Sequence, residues 1–207
     1  MPDTLNIIII LAALSLIPIL LILFTSFTKI VIVLSILRQA LGTAQAPTNM
    51  IIMSLALLLT CFSMYPVWVE IDKNLDYKII NLASKDSLLH IVEVSKLPIK
   101  NFLFSNSSKE DRKLFIDILQ KHNKKDITEE DFIIISPAFL IGQLALGFKI
   151  GFLLYLPFLV VDMTIANILM ALGMQMLSPT TISIPFKLMV FVLMDGWRLL
   201  AQNLIKN

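Results

Sequence analysis

The stretch Phe132 to Val161, FIIISPAFLIGQLALGFKIGFLLYLPFLVV, decides the fold class, because in its whole length it carries one charge, Lys149. A helix of that length rises about 45 Å, more than the roughly 30 Å of a bilayer's hydrocarbon core. The same stretch holds Pro137, Gly151 and Pro157. Each interior proline removes a backbone hydrogen bond and crowds the preceding turn, so interrupted helices are predicted in place of one straight rod. Met163 to Met194 follows as a second apolar block, punctuated by Gly173, Pro179 and Pro185.

Towards the N-terminus the pattern repeats. Ile7 to Phe24 is apolar except for Ser15 and Pro18, and after the polar step Thr25-Ser26-Phe27-Thr28-Lys29 a further apolar run, Ile30 to Leu37, ends at Arg38. The two runs read as one long, interrupted helix. Gln39 to Asn49, with Gly42 and Pro47, reads as a loop, and Met50 to Val69 as another apolar segment with Pro66 near its end. Met1 to Asn6 carries Asp3 and no base, and the apolar run after it is longer than a signal core, so the start reads as mature protein.

The chain of 207 residues is 57% hydrophobic and 15% charged, against roughly 25% charged in a soluble domain. Of its 32 charged side chains, 23 fall between Glu70 and Asp131, as 12 acids and 11 bases. That region has apolar positions at helical spacing, Leu88, Leu89 and Val92, then Leu114, Phe115, Ile118 and Leu119, with Ser108 as a helix start. The predicted fold is therefore all-α and membrane-protein-like: apolar hairpins of kinked helices at 1–69 and 132–207, flanking a small polar helical subdomain at 70–131. A net charge of +2 without basic clusters gives no support for nucleic acid binding. Cys61 is the single cysteine, so no intrachain disulfide forms; it lies in an apolar run and reads as a packing residue.

Lys29, Lys149, Asp162, Lys187 and Asp195 sit inside or beside segments fit for lipid, where a charge costs about 2.5–3.5 kcal/mol even on a lenient scale. They must pair, line water or lie outside lipid. A proton or ion relay needs groups that titrate near neutrality, and both histidines, His90 and His122, belong to the polar region. We therefore read these charges as buried ion pairs and subunit contacts, with Lys149 and Asp162 as the first candidate pair. Prolines and charges are also tolerated where other protein chains surround the backbone, which makes obligate association the reading that covers most of the pattern.

No phosphate loop, His-Glu-x-x-His site or Gly-x-Ser-x-Gly turn is present. The sequence gives no catalytic, cofactor-binding or metal-ligating residues, and Glu129-Glu130-Asp131 reads as a solvated flank before an apolar segment. Gly173-Met174-Gln175-Met176-Leu177-Ser178-Pro179 reads as a loop joining the last two apolar blocks. Methionine is flexible and polarizable, so a ring of such loops could close on itself yet deform around a polypeptide; taken alone, however, ordinary core methionines are the simpler reading.

These residues together resemble the FliP/SctR family of flagellar and virulence type III secretion export gates. The resemblance is carried by Thr25-Ser26-Phe27-Thr28-Lys29, Leu37-Arg38-Gln39-Ala40-Leu41-Gly42, Pro47, Asn49 and Leu55-Ala56-Leu57. It is stronger through Pro137-Ala138-Phe139, Phe148-Lys149-Ile150-Gly151-Phe152, Tyr155-Leu156-Pro157-Phe158, Asp162, Gly173-Met174-Gln175-Met176, Pro185-Phe186-Lys187-Leu188 and Asp195-Gly196-Trp197. It implies a homopentamer joined to two smaller hydrophobic export-gate proteins, with larger export-apparatus subunits and basal-body rings around it. Exported polypeptides would be the substrates and the bacterial inner membrane the location, with much of the assembly on the periplasmic side. Met174, Gln175 and Met176 would then belong to the pore gasket, which reverses the core-methionine reading. Gln143 stands where the family often has glutamate and Thr48 where it often has a second proline. The short N-terminus, the Met-Gln-Met form and the Lys109–Lys113 region look more like virulence-type members. The competing class is a secondary transporter or ion-channel subunit with Lys149 and Asp162 on the pathway, and a third is a scaffold without a pore.

Overall fold

The computed structural model describes residues 2–43, 46–75, 85–121, 127–174 and 176–206. Among them every regular element is helical: α1 Pro2–Phe24, α2 Phe27–Ala40, α3 Asn49–Ser63, α4 Tyr65–Asn74, α5 Lys85–Ser105, α6 Lys109–Lys121, α7 Phe132–Ala171, α8 Pro179–Leu193 and α9 Gly196–Lys206. The all-α expectation holds. The long N-terminal helix breaks at Thr25-Ser26, and Met50 to Val69 breaks at Met64, where Pro66 in the first turn of α4 lacks the donor that would continue α3.

The expectation of interruption fails in the deciding stretch. α7 runs unbroken for 40 residues through Pro137 and Pro157. A proline forfeits one bond but fixes φ near the helical value, and the backbone bonds on either side of Pro137 and Pro157 carry the helix through. Asp162, expected to divide two blocks, lies inside α7, and the break falls at the methionine loop. Among the described residues α7 alone is long and apolar enough to cross a membrane by itself; Leu14–Phe24 with α2, and α3 with α4, qualify only as broken pairs.

Contacts divide the chain into two units, each built from two separate stretches: residues 1–26 with 64–143, and 27–63 with 144–207. In the first, Met64 at the helix break and Val67 and Ile71 of α4 bury against Val94, Ile99 and Phe102 of α5. A second cluster gathers Leu103, Ile135 and Phe139, with the Phe102 and Phe139 rings edge to face at 5.7 Å. Each such side chain contributes about 1.5–3 kcal/mol.

The polar part of this unit is tied by Arg112. Arg112 is 3% exposed; its guanidinium lies 4.1 Å from the Phe104 ring centroid and donates to Phe104 O at 3.2 Å and Ser107 O at 2.7 Å. It also reaches Glu129 at 3.5 Å. The α5–α6 turn is thus held to the segment entering α7. Ser108 caps α6 as its sequence predicts, accepting from Asp111 N at 3.0 Å. The acidic run before α7 is occupied structurally: Glu130 pairs with Lys100 at 2.9 Å, and Asp131 O accepts from Ile134 N and Ile135 N. Replacing Arg112 with alanine strands two carbonyls and should destabilise this unit by about 3 kcal/mol, read as a lower unfolding midpoint of the purified protein. Lysine, which cannot fork between the carbonyls, should recover only part of the loss.

In the second unit Ile30, Val33, Leu34 and Leu37 form one face of α2 and pack with Ile52, Ala56 and Leu59 of α3 and Leu200 and Leu204 of α9. The spacing of three and four along each helix is that of an amphipathic face turned to a core. The opposite faces are also apolar. On α3, Met50, Met53, Leu57, Leu58 and Phe62 are all exposed, a stripe far more apolar than water tolerates on a monomer. Cys61 lies on that exposed stripe and not in a core, contrary to the packing role read from its apolar neighbours.

Candidate functional site

The loop between α7 and α8 is fixed at both ends. Gly173 adopts φ +71°, with Gly173 N donating to Met170 O at 3.0 Å and Met174 N to Leu169 O at 2.9 Å. This is the double-bonded helix terminus that a glycine outside the last turn permits. At the far end Pro179 opens α8, where a missing N–H costs nothing. Between these ends Met176 is fully exposed, at 102%, and Met174 is 45% exposed. Gln175 lies outside the described residues. The described methionines of the loop thus fill no core gap; they stand out from it.

Behind the loop α7 and α8 are clasped. Asp162 of α7 faces Ser183 and Lys187, which lie four residues apart on one side of α8. The Lys187 ammonium sits 2.5 Å from Asp162 Oδ2, with side-chain exposures of 3% and 19%. The Ser183 hydroxyl is within reach of Asp162 Oδ1 and of Thr180 O. A serine, a lysine and an aspartate in contact invite comparison with a nucleophilic site, but here the hydroxyl is buried and donates to acceptors, and the lysine donates to the carboxylate instead of facing the serine as a free base. Nothing in this arrangement activates the serine. Gly42, at φ +72°, lies against the same stretch of α8: a Cβ there would stand 3.2 Å from Ile184 Cγ1 and 3.8 Å from Lys187 Nζ.

The pairing corrects the sequence reading of Asp162. Lys149 and Asp162 lie on one continuous helix, thirteen residues apart, or about 20 Å at 1.5 Å per residue, and cannot touch. Lys149 is exposed. Asp195, at φ 50° between α8 and α9, makes an exposed pair with Arg198 at 3.8 Å. Lys29 is 1% exposed on α2, and no partner for its ammonium stands among the described residues. Gln143 is equally buried, and its Oε1 accepts no bond there. His122 lies outside the described residues; among those described, no cluster of histidine, cysteine and acids suits a metal.

Gly151, a punctuating residue in the sequence, and Gly147, which drew no reading there, prove to be contacts. A Cβ on Gly151 would lie 2.3 Å from Ile36 Cδ1, and one on Gly147 would lie 3.2 Å from Ile32 Cβ. Gly147 and Gly151 are four apart on α7, and Ile32 and Ile36 are four apart on α2. The spacing of small residues was the available signal.

A model of the FliP family matches residues 10–204, nearly the whole chain. The chain belongs to the FliP family. It is 38% identical to the Yop proteins translocation protein R of Yersinia pestis over 99% of this chain and 96% of that protein. It is 41% identical to the flagellar biosynthetic protein FliP of Caulobacter vibrioides over 94% of this chain and 72% of the relative. The Aquifex aeolicus protein of the same name matches at 41% over 99% and 86%. FliP-family membership makes the chain a structural component of protein export of the type III secretion or flagellar kind, membrane-associated in character and not an enzyme.

Proposed function

We propose that the chain is a pore-forming subunit of the export gate in the bacterial inner membrane, five copies of which pack their apolar faces together around a central channel. The observation that carries this reading is Met176, a large apolar side chain left wholly exposed on a loop whose ends are fixed. Exposure of that kind has a use if copies of the loop meet one another. Met174, Gln175 and Met176 would form the gasket, soft enough to seal and to yield to a passing polypeptide. The exposed stripe on α3 would face neighbouring copies, the two smaller hydrophobic gate proteins, or both. The polar region at 70–131 would lie on the periplasmic side, within the basal-body rings, and the apolar hairpins 1–69 and 132–207 would build the wall.

Lys29 and Gln143, buried and without acceptor or donor in their own unit, would find partners across subunit contacts, where such groups need satisfying. Lys187 and Asp162 would hold the hairpin that presents the gasket, and Lys149 and Asp195, both exposed, would meet neighbouring subunits. The Met-Gln-Met form and the Lys109–Lys113 region favour a virulence-type system. A transporter pathway along Lys149 and Asp162 draws no support from a carboxylate already engaged by Lys187.

Alanine at both Met174 and Met176 tests the gasket. The reconstituted gate should conduct small ions several-fold more in its closed state, while the mass of the detergent-extracted complex stays that of five copies with their partners. Unchanged conductance in an intact complex would remove the gasket role.

A further inference from the structure

The first unit contains a cleft that neither the methionine loop nor the ion pair uses. It lies among α1, α4 and α5 and has a volume of about 400 Å³, within the roughly 300–1,000 Å³ of small-molecule sites. Its walls are apolar: Leu21 and Phe24 from α1, Val67 and Ile71 from α4, Val92 and Ile99 from α5. Two lining residues differ in kind. Trp68 is 50% exposed, an indole set between an apolar wall and solvent. Lys96 is exposed and is the one charged residue of the lining. Its ammonium has no ion-pair partner among the described residues, whereas Lys100, one turn further, is taken by Glu130.

An apolar trough selects hydrocarbon, and a lone cation at its rim selects an anion. A purely apolar helix from a neighbouring chain would satisfy the walls but leave Lys96 beside it unmatched. A molecule with an acidic head and an aliphatic tail satisfies both. The half-exposed indole adds to this, because tryptophan favours the level at which head groups meet hydrocarbon. We propose that this cleft holds one acyl chain of an anionic phospholipid, with Lys96 on its phosphate and Trp68 beside the head group.

The test uses the purified full-length protein, incubated with vesicles of phosphatidylcholine containing a minor share of phosphatidylglycerol and then examined by native mass spectrometry. The wild type should retain a single phosphatidylglycerol in preference to phosphatidylcholine, and inorganic phosphate should not displace it. Lys96→Gln, an exposed change that leaves the fold alone, should lower that preference roughly fivefold. Ser95→Phe, which fills the cleft, should abolish retention of either lipid. Equal preference in the wild type and Lys96→Gln overturns the proposal, as does retention unaltered by Ser95→Phe or a photoreactive group at Val92 that crosslinks to protein and never to lipid. Conductance is not read here, so failure would leave the pore reading standing.

Discussion

Replacing Lys187 with methionine should lower the stability of the second unit by about 3–5 kcal/mol, the usual cost of leaving one member of a buried pair alone. Asp162 is only 19% exposed at its side chain, and without the ammonium at 2.5 Å its charge keeps a single donor, the Ser183 hydroxyl. The unfolding midpoint of the purified complex should fall by on the order of 10 °C. Adding Asp162→Asn should restore most of the loss, because an amide can still accept from Ser183 and no charge remains to be stranded. A double variant as unstable as Lys187→Met alone would mean that the pair matters little and that lysine's aliphatic stem does the packing. A leaking gate is also expected from the single variant, since Asp162 and Lys187 join the two helices that present Met174 and Met176.

That pair shows where reading the sequence stopped. Asp162 and Lys187 were each conspicuous as charges in apolar surroundings, yet choosing the partner required knowing that α7 does not break at Pro157. Proline rules are statements about one lost hydrogen bond, and they do not weigh that loss against the backbone bonds that the rest of a forty-residue helix keeps. Signals confined to a few residues were legible: the break at Thr25-Ser26, the cap at Ser108, and the loop bounded by Gly173 and Pro179 all depend on local backbone chemistry. Cys61 was misjudged for the opposite reason. Apolar neighbours in sequence place a residue on an apolar helix, but which face it occupies depends on where α2 and α9 pack against α3. The flanking glycine and proline place the methionines in a loop, whereas their exposure depends on how α7 and α8 pack behind it.

Gly151→Leu should prevent the second unit from forming, and magnitudes at its neighbour show why the contact decides. Alanine in a helix interior gains about 1 kcal/mol over glycine. At Gly147 the new Cβ would stand 3.2 Å from Ile32 Cβ and 3.3 Å from Lys29 O, so α2 must give by a few tenths of an ångström, at a cost that offsets the helical gain and leaves Gly147→Ala near neutral. At Gly151 the new atom would meet Ile36 Cδ1 at 2.3 Å and Ile36 Cβ at 3.1 Å. The end of the side chain can rotate away, but Cβ is fixed to the backbone of α2. Overpacking of this kind costs about 1–3 kcal/mol, enough to cancel the helical gain and leave Gly151→Ala mildly destabilised. Leucine adds three more carbons at the same close contact, so α2 must move off α7 and uncover Phe158, the α7 side chain that lies at 5% exposure in the core cluster shared with α2. No assembled complex should then be recovered from membranes. Trimming Ile36 to alanine should rescue Gly151→Ala to wild-type yield, and absence of that rescue would show that the two helices do not meet at this point.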